Sequence, residues 1–447
     1  MFNLSILKKS NNISGLQLFQ ISRFTSFLLI SIIFTKSHLT LSEIGLFELL
    51  LFFASAASYF WVTGLIQSFL PLYKNNNTFI FKEENKSPEL FNAFLLLCFF
   101  SILIFIFGIS IKNDLSVFGY KGKVPFYFPL LLYILLSNPA ALVEYIYLLR
   151  NKPEKIISYG FFVFSLQLVL VITPVLMGYG ITFSVWSLVF VSALRIVWLI
   201  ALLKKYAVFK ISIPFLLEHL SLATPLIISS LLSGSAQYID GIIISNKYDA
   251  ASFAVFRYGA KELPFVVLLA AGLHSAMLPE FSTTKKIKES LKTIKKKSAR
   301  LMHILFPLSI VVLLFSKWLF VTMFNENFSR GSDVFMIYLL LVCSRILFPN
   351  TILIGLKKTR VVMLASIINI IVNVSLSLMF LEKYGLVGVA LATVFAFLLE
   401  KQILILYNYF ALKISPNKYI PIGLYFAYTI VFITIFVLID HRIIFII

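Results

Sequence analysis

Residues 64–71 read Gly64-Leu-Ile-Gln-Ser-Phe-Leu-Pro71, and residues 272–279 read Gly272-Leu-His-Ser-Ala-Met-Leu-Pro279. Gly, Leu, Leu and Pro fall at identical spacing, at an offset of 208 residues. The same offset carries Gly180 onto Gly388, and Leu149-Arg-Asn-Lys152 has a near counterpart in Leu356-Lys-Lys-Thr359. Each match alone is weak, because apolar sequences resemble one another by accident. Two in one register, with the third a single residue out of it, point to an internal duplication, and the duplication decides the fold.

Outward from the two copies, apolar runs of spanning length lie near 15–35, 43–72, 89–111, 125–149, 156–178 and 181–203 in the first half. In the second half they lie near 217–245, 250–280, 301–324, 333–357, 358–381 and 385–410, with a thirteenth at 420–439 outside the repeat. The chain of 447 residues is 60% hydrophobic and 13% charged, with a mean hydropathy of +0.95. Soluble domains run at about 45–50% apolar and about 25% charged, so a soluble enzyme is excluded. A β-barrel is excluded as well, since barrel strands alternate polar and apolar residues and these runs are continuous. The predicted fold class is all-α: a polytopic membrane protein of two six-helix bundles in parallel pseudo-repeat. The expected domains are 1–204 and 217–412, joined by an amphipathic cytoplasmic linker at 205–216, with an additional C-terminal transmembrane helix within 413–447. An even number of helices per copy gives both copies the same orientation. Transporters of this plan bind substrate at the interface between repeats.

The net charge of +20 invites a nucleic-acid reading, but membrane topology explains it better. Counted along alternate loops, one side of the membrane carries 24 Lys and Arg and the other 8. Cytoplasmic loops collect such residues, so the N-terminus is expected inside. The run Lys285–Arg300 (KKIKESLKTIKKKSAR) either binds anionic headgroups or simply anchors this topology. Cys98 and Cys343 lie in apolar runs and are expected to be free thiols, without disulfide or metal. Met1–Asn12 is a short polar head with no cleavage signal in the run that follows.

Ionisable groups inside spans cost about 2.5–3.5 kcal/mol each at the bilayer centre and are functional candidates by default. Arg257 and Lys261 are four residues apart in the eighth span, followed by Glu262 and by Pro264, which favours a kink. Ser230, Ser233, Gln237 and Asp240 form one polar stripe in the seventh span, Gln20, Arg23 and Ser26 another in the first, and Ser366, Asn369, Asn373 and Ser377 a third in the eleventh. The functional reading is a water-filled cationic cavity, since guanidinium groups grip phosphate bidentately. The bland reading is interhelical glue worth about 0.6 kcal/mol per polar contact, and the eleventh-span stripe fits it best. The candidate substrate-binding residues are Arg23, Arg257 and Lys261. Asp240, Glu48 and Glu262 are candidates for ion coupling, and Gln20, Ser233 and Gln237 for polar cavity lining. Glu144 with Arg195, and Arg345 with Glu400, are expected to be structural pairs. No catalytic constellation, metal spacing or phosphate loop is present in the sequence, so no enzyme activity and no cofactor is expected beyond a proton or Na⁺ gradient.

Arg23 followed by Leu39-Thr-Leu-Ser-Glu-Ile-Gly-Leu-Phe47, then Pro225, Asp240-Gly-Ile-Ile-Ile-Ser245, Ala254–Gly259 and Leu278-Pro279, resemble the polysaccharide flippases of the MOP exporter superfamily (Wzx-type O-antigen flippases). Asn369–Asn373 and Gly385-Leu-Val-Gly388 fit that family's eleventh and twelfth helices. The resemblance implies a MATE-like fold of two bundles around a cationic cavity. It implies translocation of undecaprenyl-diphosphate-linked glycan (O-antigen or capsular repeat units) across the bacterial inner membrane by alternating access. By that resemblance Arg23, Arg257 and Lys261 attract the diphosphate, and Asp240 lies where the family carries an acid. The implied partners are that glycan, membrane lipids and other polysaccharide-assembly membrane proteins, with no nucleic acid. Peptidoglycan-precursor flippases of the superfamily usually have fourteen helices, and thirteen spans favour the O-antigen or capsule branch. The alternatives are a MATE-type cation-coupled exporter of small molecules and a membrane oligosaccharide polymerase. A cationic cavity speaks against the first, and the absence of large external loops against the second.

Overall fold

The structure, a computed structural model, describes residues 12–76, 86–114, 123–282, 287–356 and 358–440. Among the basic residues counted for topology, Lys8, Lys9, Lys82, Lys121, Lys285, Lys286, Lys357 and Arg442 lie outside the described residues. The first half contains α1 (Asn12–Lys36), α2 (Leu41–Asn76), α3 (Pro88–Ile111), α4 (Tyr127–Ala140), α5 (Leu142–Leu149), α6 (Pro153–Leu176) and α7 (Ile181–Tyr206). Then come α8 (Ile213–Lys247), α9 (Ala250–Gly259), α10 (Pro264–Ser282), α11 (Ile287–Leu314) and α12 (Ser316–Met323). The chain ends in α13 (Ser329–Leu339), α14 (Val342–Arg345), α15 (Pro349–Gly355), α16 (Thr359–Phe410) and α17 (Ile422–Asp440). Among the described residues, ten helices are long and apolar enough to cross a membrane, or eleven with the bent run Glu326–Gly355. This is a helical multi-pass membrane protein.

Several expected spans arrive in pieces, and the breaks have local causes. The fourth span is divided at Ala141, just after Pro139, whose missing N–H and bulky ring interrupt the helical ladder. The eighth span breaks at 260–263, and Pro264 opens α10, because the residue before proline is disfavoured in the helical region. The eleventh and twelfth spans run together as α16. A straight helix of its 52 residues would be about 78 Å long, more than twice the hydrocarbon thickness of about 30 Å. The chain kinks at Gly385, with φ 61° and ψ −138°, a conformation that a side chain would strain. The basic run at 287–300 is the first half of α11 and is amphipathic. Leu291, Ile294 and Ser298 are buried, while Lys288, Lys292, Lys296 and Arg300 are exposed.

By its internal contacts the chain divides into two compact units: Met1–Gly234 with Asp249–Ala254, and Ser235–Tyr248 with Val255–Ile447. The core of the first unit is aromatic, built on Phe19, Trp61, Phe69, Tyr159 and Phe164. Helices α1 and α6 approach closely there. A Cβ on Gly160 would lie 2.6 Å from the Phe19 ring, and Ser26 Oγ donates to the Phe164 carbonyl at 2.9 Å. Gly64 serves a similar purpose between α2 and α8, where a Cβ would come within 2.7 Å of the Ile227 nitrogen. Its counterpart in the repeat, Gly272, faces open space. A duplicated sequence therefore does not repeat its packing residue by residue. In the second unit, Met277, Phe281, Ile294, Phe348 and Ile352 form a core. Helix α17 lies against α11 there, with Tyr428 stacked on Phe306 at 5.2 Å and its hydroxyl 2.8 Å from His303 Nδ1.

Candidate functional site

In the second unit the break between α9 and α10 meets α14 through Glu262 and Arg345. Arg257 occupies the last turn of α9, and Lys261 lies in the break beyond it. The break means that the two do not share a continuous helical face, as a single unbroken span would have given them. Lys261 Nζ sits 4.4 Å from the centroid of the Tyr258 ring, which is itself held by Phe324 and Phe328 at 4.9 and 4.8 Å. A cation over an aromatic face is stabilised by the ring quadrupole, so Tyr258 fixes the ammonium in place. Glu262 turns to Arg345: Nη2 donates to Oε1 at 2.6 Å and Nε to Oε2 at 2.9 Å. The Arg345 guanidinium also lies 4.6 Å from the Phe397 ring. Together, Arg257, Lys261, Arg345 and Glu262 carry three positive charges and one negative.

The pairing expected between Arg345 and Glu400 is not formed. Arg345 is bonded to Glu262, and Glu400 instead accepts from Ser366 Oγ at 3.2 Å and Asn369 Nδ2 at 3.1 Å. Two hydroxyl and amide donors satisfy that carboxylate from the other leg of α16. Asn373 Nδ2 donates to Thr393 Oγ1 at 3.3 Å, and Ser377 Oγ to Asn373 Oδ1 at 2.8 Å. The Asn/Ser stripe thus ties the two legs of α16 together across the kink, which is the glue role read from its spacing.

Asp240 is buried in α8 and anchors the other end of this network. Its Oδ2 accepts from Tyr338 Oη at 2.6 Å and from Thr393 Oγ1 at 2.5 Å. The Thr393 hydroxyl has one proton, which goes to Asp240, so its oxygen is left to accept from Asn373. Asp240 Oδ1 is buried without a hydrogen-bond partner. A buried carboxylate oxygen in that condition is costly and has lone pairs open to a proton or a cation. Among the described residues no group of three His, Cys, Asp or Glu could hold a metal ion. Any cation at Asp240 would therefore be shared with hydroxyl and amide oxygens. The side chains of Ser233 and Gln237 lie outside the described residues.

In the first unit, Arg23 is exposed on α1, and Gln20 is half-buried one turn before it. Both Arg195 and Arg23 act electrostatically on Glu144. Glu144 and Arg195 are neighbours without a direct ion pair: Arg195 Nε donates to Tyr159 Oη at 3.1 Å, and Glu144 Oε2 is buried without a hydrogen-bond partner. Glu48 is buried on α2, with Ser31 Oγ donating to its Oε1 at 3.5 Å. Tyr338 and Thr393 complete the Asp240 site and were not singled out from the sequence. They lie 98 and 153 residues away from it, and neither carries a pattern of its own.

A family model described as polysaccharide biosynthesis protein matches residues 38–332. A Shigella flexneri protein described as a "putative O-antigen transporter" is 25% identical over 168 residues, which is 37% of this chain. The match spans 40% of that relative's length. Among solved structures, the lipid II flippase MurJ in an inward closed conformation superposes with a TM-score of 0.68 at 19% identity, covering 96% of this chain and 93% of that one. An inward-facing multidrug resistance MATE transporter of the MOP superfamily gives 0.63 at 13% identity, covering 90% of this chain and 98% of that one. At those identities the superpositions establish the fold alone. The proteins matched are transporters and flippases rather than enzymes. With the family match covering more than half of its length, the chain belongs to the polysaccharide biosynthesis protein family and has the fold of MOP-superfamily transporters.

Proposed function

We propose that the protein flips an undecaprenyl-diphosphate-linked oligosaccharide, an O-antigen or capsular repeat unit, across the bacterial inner membrane by alternating access. The observation that carries this reading is the charge arrangement around Tyr258. The acid in that turn, Glu262, is committed to Arg345, and Lys261 is fixed over the Tyr258 ring one residue before it. The four residues therefore keep two net positive charges at a helix break inside an apolar chain. A diphosphate must shed water to cross, and fixed cations replace that water. Arg23 in the first unit supplies a further cation. The family membership supports a lipid-linked cargo over a small cationic one.

Asp240 is assigned to coupling. Its unbonded Oδ1 accepts a proton or Na⁺, and Tyr338, Thr393 and Asn373 relay the change to α13 and α16. An ion drives the cycle only through a different affinity for the two conformations. The test is depletion of the protein in cells making surface polysaccharide. Lipid-linked repeat units should then accumulate in the cytoplasmic leaflet, reached by reagents only after the membrane is opened. Their accumulation in the outer leaflet would contradict the reading and favour a later assembly step.

A further inference from the structure

A serine inside an apolar helix commonly returns its hydroxyl to the carbonyl four residues back, as Ser68 does to Gly64 and Ser192 to Leu188, each at 2.9 Å. Ser309 on α11 does not. It is fully buried, and its Oγ has no hydrogen-bond partner within the protein. A buried hydroxyl in that condition is costly unless something small reaches it. Beside it lies a small, partly open cavity with room for about one water. Glu262, Ser309 and Tyr338 bring polar side chains to its walls, and apolar residues such as Val266 and Leu339 make up the rest. Among the described residues, Glu262 is the one charged residue in that lining, and its side chain is 22% exposed.

Tyr338 joins this cavity to Asp240. Its hydroxyl donates to Asp240 Oδ2 at 2.6 Å, and Asp240 itself is buried. Two hydrogen-bonded branches leave that oxygen. The branch through Thr393 continues to Asn373 and Ser377, both fully buried, and so leads further into the interior. The branch through Tyr338 meets the cavity, whose wall includes the partly exposed Glu262. The charges acting on the Tyr338 hydroxyl are those of Asp240 on α8 and Glu262 at the α9–α10 break. Arg345 on α14 neutralises Glu262 through its two hydrogen bonds. It also feels Glu400 on α16, beside which stands Lys401. From α11 the cavity receives the neutral Ser309 hydroxyl.

We infer that a water held by Ser309, Glu262 and Tyr338 is the entry for a proton to Asp240, so that the coupling ion is a proton rather than Na⁺. This rests on the coupling role proposed for Asp240. The water accepts from or donates to Ser309, and it donates to the Glu262 carboxylate, whose oxygens keep lone pairs beyond the two Arg345 bonds. When a proton arrives from solvent, the water passes one proton to Tyr338 Oη while the phenol's own proton moves to Asp240 Oδ2. The phenol and the water end neutral, and the carboxylate becomes a carboxylic acid. A half-turn of that carboxyl places its O–H at the unbonded position and offers the bare oxygen to Tyr338 and Thr393 again. Such a relay moves a proton by exchange of bonds. Na⁺ would have to pass bodily beside the buried Tyr338 ring.

The test is time-resolved infrared spectroscopy of the purified full-length protein in nanodiscs, with photolysis of a caged proton as the probe. The carboxylic-acid C=O band that Asp240→Asn removes reports protonation of Asp240. A positioned proton donor is worth about 10²–10⁴-fold in rate, so Tyr338→Phe should slow the rise of that band about a hundredfold. Ser309→Val fills the cavity with methyl groups and lies outside the Asp240 hydrogen bonds. It should slow the rise comparably while leaving the pH midpoint of the band unchanged, which a merely structural change would not do. Ser309→Thr keeps the hydroxyl and should keep the rate. Thr393→Val deletes the other bond to Oδ2 and should shift the midpoint with the rate kept. Wild-type rates in both Tyr338→Phe and Ser309→Val overturn the route and leave the coupling role of Asp240 standing. No Asp240 band at any pH in the wild type overturns both. Loss of the band on adding NaCl but not choline chloride, at fixed pH, makes Na⁺ the ion and overturns the inference.

Discussion

Arg345 grips Glu262 through two nitrogens, at 2.6 and 2.9 Å, with both side chains about three-quarters buried. Glu262→Gln removes the countercharge and leaves a guanidinium in a low-dielectric setting. Breaking a buried pair from one side costs about 3–5 kcal/mol, and partial exposure brings this pair to the lower end, about 3 kcal/mol. Thermal unfolding of the purified protein should show that loss. The exchanged pair Glu262→Arg with Arg345→Glu should recover only part of it, because the new glutamate lacks the guanidinium's contact with Phe397 and sits within the field of Glu400. If Glu262→Gln unfolds at the wild-type temperature, the pair is not a structural clamp.

The identity of that partner shows where sequence reading stops. Apolar length located the spans, Pro264 marked the break between α9 and α10, and the spacing of Ser366, Asn369, Asn373 and Ser377 gave a stripe that bonds across α16. These are local signals, set by a helix's own period and by proline stereochemistry. Arg345 had two acids to choose from, and the choice between Glu262 and Glu400 depends on how α10, α14 and α16 pack. The same holds for Tyr338 and Thr393 at Asp240, which α13 and α16 deliver from far along the chain. The expected continuous face for Arg257 and Lys261 failed because Pro264 ends the helix earlier than a kink would.

Asp240→Asn removes the charge while keeping an oxygen to accept from Tyr338 and Thr393. The variant should insert and fold, and export of lipid-linked units should be lost. Tyr338→Phe deletes one donor to the carboxylate. Hydrogen bonds to charged groups contribute about 1.5–3 kcal/mol, so that variant should unfold earlier and, with one bond of the relay gone, export less than the wild type. Normal export by Asp240→Asn would reduce Asp240 to a structural acid.

The charge bias read from the sequence predicts that the basic stretch of α11 lies in the cytoplasm. In a background with Cys98→Ala and Cys343→Ala, Lys292→Cys should resist membrane-impermeant thiol reagents in intact cells and react once the membrane is opened. Lys292 is exposed, so burial does not protect it. Labelling in intact cells would reverse the orientation.

Asp249 caps α9, accepting the Ser252 N–H at 2.8 Å. The Ser252 hydroxyl and N–H hold its carboxyl below the usual carboxylate range. A depressed value means stabilisation that is fully present above the ordinary carboxylate pKa of about 4 and is lost as pH falls through the folded value. Asp249→Ala should therefore cost about 1 kcal/mol at neutral pH and less at pH values below the folded pKa. Thermal unfolding at pH 7 and at an acid pH where Asp249 is protonated in the folded protein makes the comparison. An equal loss at both would show that the charge plays no part in the cap.

Arg257 decides between an anionic and a cationic cargo. It stands in the last turn of α9, four residues before Lys261 and five before the Glu262 that Arg345 takes. A phosphate met at this turn gains a forked, planar donor from Arg257 that an ammonium does not reproduce. Arg257→Ala should abolish export of lipid-linked units, and Arg257→Lys should restore part of it by keeping the charge without the fork. Arg257→Glu should be worse than Ala, since it turns attraction at the helix break into repulsion. The measurement is surface polysaccharide in cells lacking their own flippase, with the membrane level of each variant checked by blot. Export by Arg257→Glu at the wild-type level would rule out a phosphate contact at this turn. A small cationic cargo would then account better for the fold and its buried acids.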